Sequence, residues 1–481
     1  MQKKKRDKMV DRHLFPQNNF EKKMSLIIEA PYIAALKERS LSSRCSSCFQ
    51  SASVKCPECQ VMVYCNEECR MKDKIFHQFE CQTYRNHLDR DRFDEMVLVR
   101  MIARVIIRLG IDDGEPEVDL CSNVPDSIRP RTWWDLLGHR DEILRSERHK
   151  NMWLTTINQL KFFAVDCFRD FDLLDIFGKL LINRFRVGIH ENLSDGRIAV
   201  GWAIYLTTSR FNHSCQPDLL QCSYDINMRL KFANANQTIP RTSVEFDRLT
   251  VSYRHQNDFR LSNDLTYVPT RRQRRQFVSF FFFNCHCQFC ADDLRNRYSE
   301  SATNRLCEQC GDALILQENS HQSNTAILTC LGRRKKCSNI GRVVDRVTIP
   351  IIDPGEQSME EKLVAIEEIL HPQSVLLLQE REKIFFAYQK LLNQCDLNEN
   401  QRMIFLNRAI QLGEILLETY HIHLKHSSIY PKIIVTDLAN LCQASGRTDK
   451  AKELYQKAID LWQTDYADHL DYQHFNVHSE I

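Results

Sequence analysis

The sequence predicts an α+β chain built from several units, and three observations predict it. Eight cysteine and histidine residues crowd into a short stretch near the N-terminus, as in a small metal-stapled module. Short β-prone pieces punctuated by Gly188, Gly196 and Gly201 occupy the middle of the chain. From Gln373 onward the pattern is helical throughout. With 481 residues and 43% hydrophobic content, the chain is long and apolar enough for two to four folded domains. Its 13 glycines are few, which favours helices over glycine turns.

Composition also excludes function classes. Lys and Arg total 65 against 63 Asp and Glu, so no global field draws the chain to nucleic acid or membrane. No run of 18 apolar residues is present, and the start, MQKKKRDKMV, lacks the apolar core of a signal peptide. The basic run Lys3, Lys4, Lys5, Arg6 reads either as a nuclear import signal or as a solvated terminus. Twenty cysteines without secretory marks point to metal ligation rather than disulfides.

In chain order, residues 26–35 (LIIEAPYIAA) read as a strand and an extended turn. Then come Cys45, Cys48, Cys56, Cys59, Cys65, Cys69, His77 and Cys81: eight soft ligands in 37 residues, enough for two closed tetrahedral zinc sites. A four-ligand site leaves no open position for chemistry, so this module is structural. Met96, Val99, Ile102, Val105, Ile106 and Leu109 recur at helical spacing, with Gly110 as the expected stop. Residues 111–130 read as a polar loop, and helical patterns resume from Trp133 to about Leu181. Phe185–His190, Ile198–Tyr205, Leu230–Ala233 and Leu249–Tyr253 read as strands. In the tail, Ala439, Gly446, Ala451, Tyr455 and Ala458 occupy positions of a tetratricopeptide helix pair, with a plain helical bundle as the competing reading.

Chemistry concentrates at Asn212-His213-Ser214-Cys215. Some seventy residues later come Cys285, Cys287 and Cys290, one ligand short of a zinc site, and Cys215 is the obvious fourth. Between them, Leu249-Thr250-Val251-Ser252-Tyr253 is an apolar strand ending in a tyrosine. A further group, Cys307, Cys310, Cys330 and Cys337, reads either as another zinc ribbon or as unpaired thiols; its second pair is spaced too widely for a regular knuckle.

Residues 45–81 resemble a MYND zinc finger. Together with the NHSC, LTxSY and CxCx2C motifs they make the chain resemble the SET-and-MYND family of protein-lysine methyltransferases. The resemblance implies a split SET β-fold with an inserted MYND finger, a post-SET zinc site and a C-terminal tetratricopeptide-like helical domain. The implied parts are residues 1–44 (N-terminal SET part), 45–81 (finger), 82–181 (helical insert), 182–270 (SET core), 271–292 (post-SET), 293–350 (cysteine insert) and 351–481 (helical domain). Cross-bracing would give one zinc to Cys45, Cys48, Cys65 and Cys69, and the other to Cys56, Cys59, His77 and Cys81. S-adenosylmethionine would be held by Asn183, Asn212, His213 and Phe283, with Tyr253 also at the reacting centre; Phe185 and Phe281 would line the lysine channel beside it.

Expected partners are a protein presenting a lysine, and peptides held by the finger and the tail. A monomer in nucleus and cytoplasm, without direct nucleic-acid binding, completes the expectation. Three departures stand out. The family's N-terminal Gly-x-Gly is missing where Asp11-Arg12-His13-Leu14-Phe15 stands, the first glycine being Gly110. Phe281 replaces a second tyrosine, and SVEFDRLTVSY replaces a Gly-Glu-Glu-type turn. They keep open a catalytically degenerate scaffold or co-regulator as the alternative.

Overall fold

A computed structural model describes residues 26–86, 96–114, 128, 131–160, 171–188, 199–222, 225–233, 239–253, 268–317, 325–333, 337–348, 359–393, 397–423 and 429–466. The Asp11–Phe15 stretch, the Lys3–Arg6 run and most of the 111–130 loop lie outside these residues.

Residues 26–35 form two strands rather than one, β1 (Ile27–Glu29) and β2 (Ile33–Leu36). The finger follows, with a two-stranded ribbon of β3 (Val54–Lys55) and β4 (Val63–Tyr64) and a helix α1 (Glu67–Asn86). Asn66 starts α1 by accepting the Cys69 N–H at 3.0 Å, and Glu67 and Glu68 favour its positive end. Next, α2 (Val97–Asp112) runs straight through Gly110 and ends at Asp113 and Gly114, both at positive φ. Gly110 faces open space, so it costs the helix propensity but does not stop it. The stop comes from the turn closed by Asp113 N–H to Leu109 O and by the Asp112 carboxylate on Gly114 N–H.

Helices α3 (Arg140–Arg145), α4 (Glu147–Leu160) and α5 (Leu173–Asn183) pack their apolar faces with α2 in one core around Trp133, Phe177 and Leu180. Gly178 lets α5 approach the 137–139 turn so closely that a Cβ there would sit 1.8 Å from Gly138 O.

The strands β5 (Arg184–Gly188) and β6 (Ala199–Ile204) then complete an antiparallel sheet of order β2-β6-β5, with Ile33 opposite Ile204. After β7 (Asn212–His213), the strands β8 (Leu219–Cys222) and β9 (Met228–Phe232) pair with β1 in the order β1-β9-β8. A capped turn of helix, α6 (Ser243–Arg248), leads into β10 (Thr250–Val251), which lies parallel to β7.

A Thr270–Gln273 capping box opens α7 (Arg271–Val278), followed by α8 (Gln288–Ala291) and α9 (Asp293–Ser301). An antiparallel meander comes next: β11 (Ala302–Leu306), β12 (Ala313–Gln317), β13 (Thr325–Thr329) and β14 (Val343–Thr348). The tail is helical: α10 (Met359–Glu367), α11 (Val375–Leu392), α12 (Glu399–His423), α13 (Ile429–Ala444) and α14 (Thr448–Tyr466). Gly446, at φ +77°, makes the turn between α13 and α14, where Ala439, Ala451 and Ala458 are fully buried. The α+β class follows the sequence reading.

One polar feature is buried between finger and core. Glu80 of α1 accepts from Arg104 at 2.7 and 2.9 Å and from Arg100 at 3.3 Å twice. The same guanidiniums donate to Leu36 O and Ala34 O on β2, and Arg104 pairs with Asp73 at 3.0 Å. Every buried charge here has an opposite partner, as a charge in a low-dielectric interior requires.

Candidate active site

Among the described residues, four sets of cysteine and histidine side chains each bring their ligand atoms within 4.8 Å of one another. Two lie in the finger, and they are the cross-braced sets Cys45, Cys48, Cys65, Cys69 and Cys56, Cys59, His77, Cys81. A tetrahedron with Zn–S bonds of about 2.3 Å places its sulfurs about 3.8 Å apart. Observed separations include Cys48–Cys69 at 3.9 Å, Cys56–Cys81 at 3.9 Å and Cys59 to His77 Nε2 at 3.7 Å. Burial pushes the His77 imidazole down to about 4, which keeps it neutral and able to ligate. The donor sets therefore fit zinc.

The third set is Cys215 with Cys285, Cys287 and Cys290, at Sγ separations of 3.8 Å to Cys285 and 3.4 Å to Cys290. It ties the end of β7 to the loop after α7, seventy residues later. That clamp assembles an aromatic cluster. Tyr253 follows β10, and its N–H donates to His213 Nδ1 at 3.0 Å. His213 Nδ1 is then the acceptor nitrogen, so the ring proton sits on Nε2, 3.4 Å from Cys215 Sγ. Both ring nitrogens of His213 are thus engaged inside the protein. Burial pushes this imidazole down to about 4, so it stays neutral.

The Tyr253 hydroxyl donates to Phe211 O at 3.1 Å. Its ring meets Phe281 at 5.0 Å and Phe283 at 6.0 Å between centroids, and Phe283 also meets the His213 ring at 6.0 Å. Phe282, between these two phenylalanines, sits at φ +63°, a left-handed conformation that a bulky side chain rarely adopts. The turn places its neighbours on either side against one tyrosine ring. Burial pushes the Tyr253 phenol up to about 12, with the Arg131 guanidinium working against it, so the hydroxyl stays protonated at neutral pH.

The remaining predicted residues are held by contacts of their own. Asn212 is exposed on β7, beside Thr250 of β10. Phe185, on β5, is buried edge-on to Tyr205 at 5.5 Å, in the same apolar core against which Tyr253 packs. Asn183 ends α5, where its amide donates to Leu137 O at 3.1 Å and Lys179 O at 2.9 Å. Three supporting residues carry no sequence signal. Arg131 donates to Ser209 O at 3.0 Å, His149 Nε2 lies 3.2 Å from Phe280 O, and the Glu29 carboxylate accepts from Thr207 N–H and Thr208 N–H at 2.7 and 2.8 Å. These contacts span 78, 131 and up to 179 residues, so no local pattern reports them.

The MYND finger family matches residues 45–81. A SET and MYND domain-containing protein of Dictyostelium discoideum is 23% identical over 319 residues, covering 59% of this chain and 58% of its own length. The chain carries a MYND finger and is distantly similar to SET and MYND domain proteins over half or more of its length. SET domain-containing protein 14 of Caenorhabditis elegans is 27% identical, over 58% of each protein. The histone-lysine N-methyltransferase ASHR1 of Arabidopsis thaliana is 21% identical over 415 residues, 80% of this chain and 79% of that protein. The match to the first two relatives spans less than six-tenths of their length. The proteins it resembles include some named as histone-lysine N-methyltransferases.

Proposed function

We propose that the chain is an S-adenosylmethionine-dependent protein-lysine N-methyltransferase acting on histone or non-histone protein. The observation that supports it best is the cluster of Tyr253, Phe281 and Phe283 drawn beside Asn212 and His213 by the Cys215 clamp. An exposed carboxamide at Asn212 and a partly buried aromatic face at Phe283 fit a ligand with an adenine ring and an amino-acid end, to which the family resemblance adds Asn183. These residues would hold the cofactor, together with the main chain at His213. When bound, it supplies an activated methyl group on a sulfonium.

The protein's own groups do the rest. An incoming lysine ammonium would meet an apolar wall of Phe185 and Phe281, which penalises its charge and favours the neutral amine. The proton of the Tyr253 hydroxyl is committed to Phe211 O, which leaves the oxygen free to accept from the amine and aim its lone pair. Phe281 offers no second hydroxyl. No strong acid or nucleophilic side chain is needed, because positive charge only moves from sulfur to nitrogen.

Titration calorimetry of S-adenosylmethionine into zinc-loaded protein tests the reading. Micromolar binding, lost in Asn212→Ala, is the expected result. Tyr253→Phe should keep binding but lower methyl transfer to lysine peptides by roughly a hundredfold or more. A second reading draws on the missing Gly-x-Gly: a SET-MYND scaffold whose finger and tail hold peptides, without catalysis. Folded protein that gives no binding heat selects that reading. Nucleus and cytoplasm as compartments belong to the same proposal, with Lys3–Arg6 read as an import signal rather than a solvated terminus.

A further inference from the structure

The fourth cysteine set lies on the β11–β14 meander, away from the aromatic cluster. Cys307 and Cys310 follow β11, Cys330 follows β13, and Cys337 sits in the turn before β14. All four are buried, and their sulfurs lie within 4.8 Å of one another. Cys310–Cys330 measures 3.4 Å, Cys307–Cys337 3.7 Å and Cys330–Cys337 3.8 Å, close to the tetrahedral edge of about 3.8 Å for thiolates on zinc.

The local backbone is shaped for this convergence. Gly311, at φ +68°, donates to Cys307 O at 2.7 Å and closes the first knuckle. The wide second pair is closed differently. Gly341, at φ +72°, donates to Cys330 O at 3.1 Å, and Ile340 N–H to Cys337 O, so the long intervening loop is tied at its base. N–H groups also point at sulfur, Gly332 to Cys330 at 3.3 Å and Asn339 Nδ2 to Cys307 at 3.7 Å, as suits thiolates that carry charge. The two halves are cross-tied by Gln309 Oε1, which accepts from Ser338 N–H, and by Asp312, which accepts from Arg333 N–H. The apolar core beneath is small, with Leu314, Ala326, Leu328 and Val347 as its buried aliphatic members and Leu316, Val344 and Ile369 half-buried at its edge. A meander of this size needs a staple.

The meander is also a joint. Its first strand forms a bridge with the chain entering the helical tail, Thr303 opposite Leu370, with Asn304 N–H to Ile369 O at 3.0 Å and His371 N–H to Ala302 O at 2.9 Å. Ser374 Oγ reaches Glu300 O at 2.7 Å, and Gln379 donates to Val268 O and Gln273 at 2.8 Å each. Arg333, from the second knuckle, stacks 3.7 Å over the Tyr298 ring of α9. Strand β11, which carries the seam, ends one residue before the first ligand, Cys307.

We propose that Cys307, Cys310, Cys330 and Cys337 bind a fourth zinc ion, and that this ion locks the seam between the post-SET helices and the helical tail. The bonds formed are four Zn–S bonds, with the thiol protons released to solvent. The site is closed and structural. The inference stands apart from the methyltransferase reading, since neither cofactor nor lysine enters it.

The test uses the full chain, purified with zinc and without chelator. Zinc released by acid or mercurial should reach four ions per chain. Cys310→Ser and Cys337→Ser should each release three, with the finger still resistant to alkylation. In the three-zinc variants, amide exchange across Ala302–Leu306 and Ile369–His371 should rise at least about tenfold, while residues 45–81 are unchanged. Three zinc ions in the unaltered chain, with these four cysteines alkylated under native conditions or found as disulfides by non-reducing mass analysis, overturn the site. That measurement needs no variant, so it decides even if the serine variants fail to fold. Four ions with unchanged seam exchange in the variants overturn the lock.

Discussion

Glu80→Gln tests whether the buried ion network holds the finger on the core. Glu80 is 1% exposed and takes four N–H contacts from Arg100 and Arg104. A glutamine keeps the shape and one acceptor oxygen, but removes the charge and turns a nitrogen toward two guanidiniums. Asp73 remains as the carboxylate paired with Arg104. Breaking a buried pair by removing one partner costs about 3–5 kcal/mol, because the surviving charge stays desolvated. At roughly 2–4 °C per kcal/mol for a domain of this scale, the unfolding midpoint should fall by about 6–20 °C. The assay is thermal unfolding of zinc-loaded protein, with zinc content measured in parallel because Cys81 is adjacent. The double variant Glu80→Gln/Arg100→Met should recover part of the loss, since it removes the cation left without its carboxylate and keeps the Asp73–Arg104 pair. A midpoint unchanged by Glu80→Gln at full zinc content would refute the reasoning, and so would a double variant worse than the two single losses summed.

Further outcomes follow from other residues. Burial raises the Glu29 carboxyl to about 7 against an ordinary value of 4.5. The folded state therefore binds more protons than the unfolded chain between about pH 4.5 and 7, and stability should fall as pH rises through that window. Urea midpoints taken across it should slope downward, and Glu29→Gln should flatten them. Gly178→Ala would drive a Cβ onto Gly138 O, so it should cost at least about 3 kcal/mol in urea unfolding and shift the turn at Leu137 that Asn183 holds. Cys290→Ser should lower the zinc count by one and release Phe281 and Phe283 from Tyr253, weakening methyl transfer by about a hundredfold in a tritium-transfer assay.

How much was legible depended on sequence distance. The finger's ligands all lie in one short run, where spacing alone suggests zinc and family resemblance pairs them. Cys215 was found by counting, because three cysteines at 285–290 leave a zinc shell one short. The pairing of Cys330 with Cys337 could not be read, because their closure depends on Gly341 and the parallel bridge between Cys330 and Ile340. Gly110 misled because a glycine at a helix's solvent face resembles a stop until the following Asp113-Gly114 turn is seen. Leu249–Tyr253 shrank to a two-residue strand because its partner β7 offers only Asn212 and His213. Phe282's left-handed turn had no signal, since nothing in a run of phenylalanines marks one as special.

The pairing of β1 and β2 with strands far down the chain has a consequence for birth on the ribosome. Glu29 waits for Thr207, 178 residues later, and Ile33 waits for Ile204. At about 5–20 residues per second, synthesis of that interval takes roughly 10–35 s. During it the finger, whose ligands are all made early, can close on zinc, while two apolar strands just upstream remain without partners. A nascent chain in this state presents open strand edges next to a finished module. Zinc supply and chaperone cover during those seconds, more than the final stability, would then set how much of the protein reaches its native form.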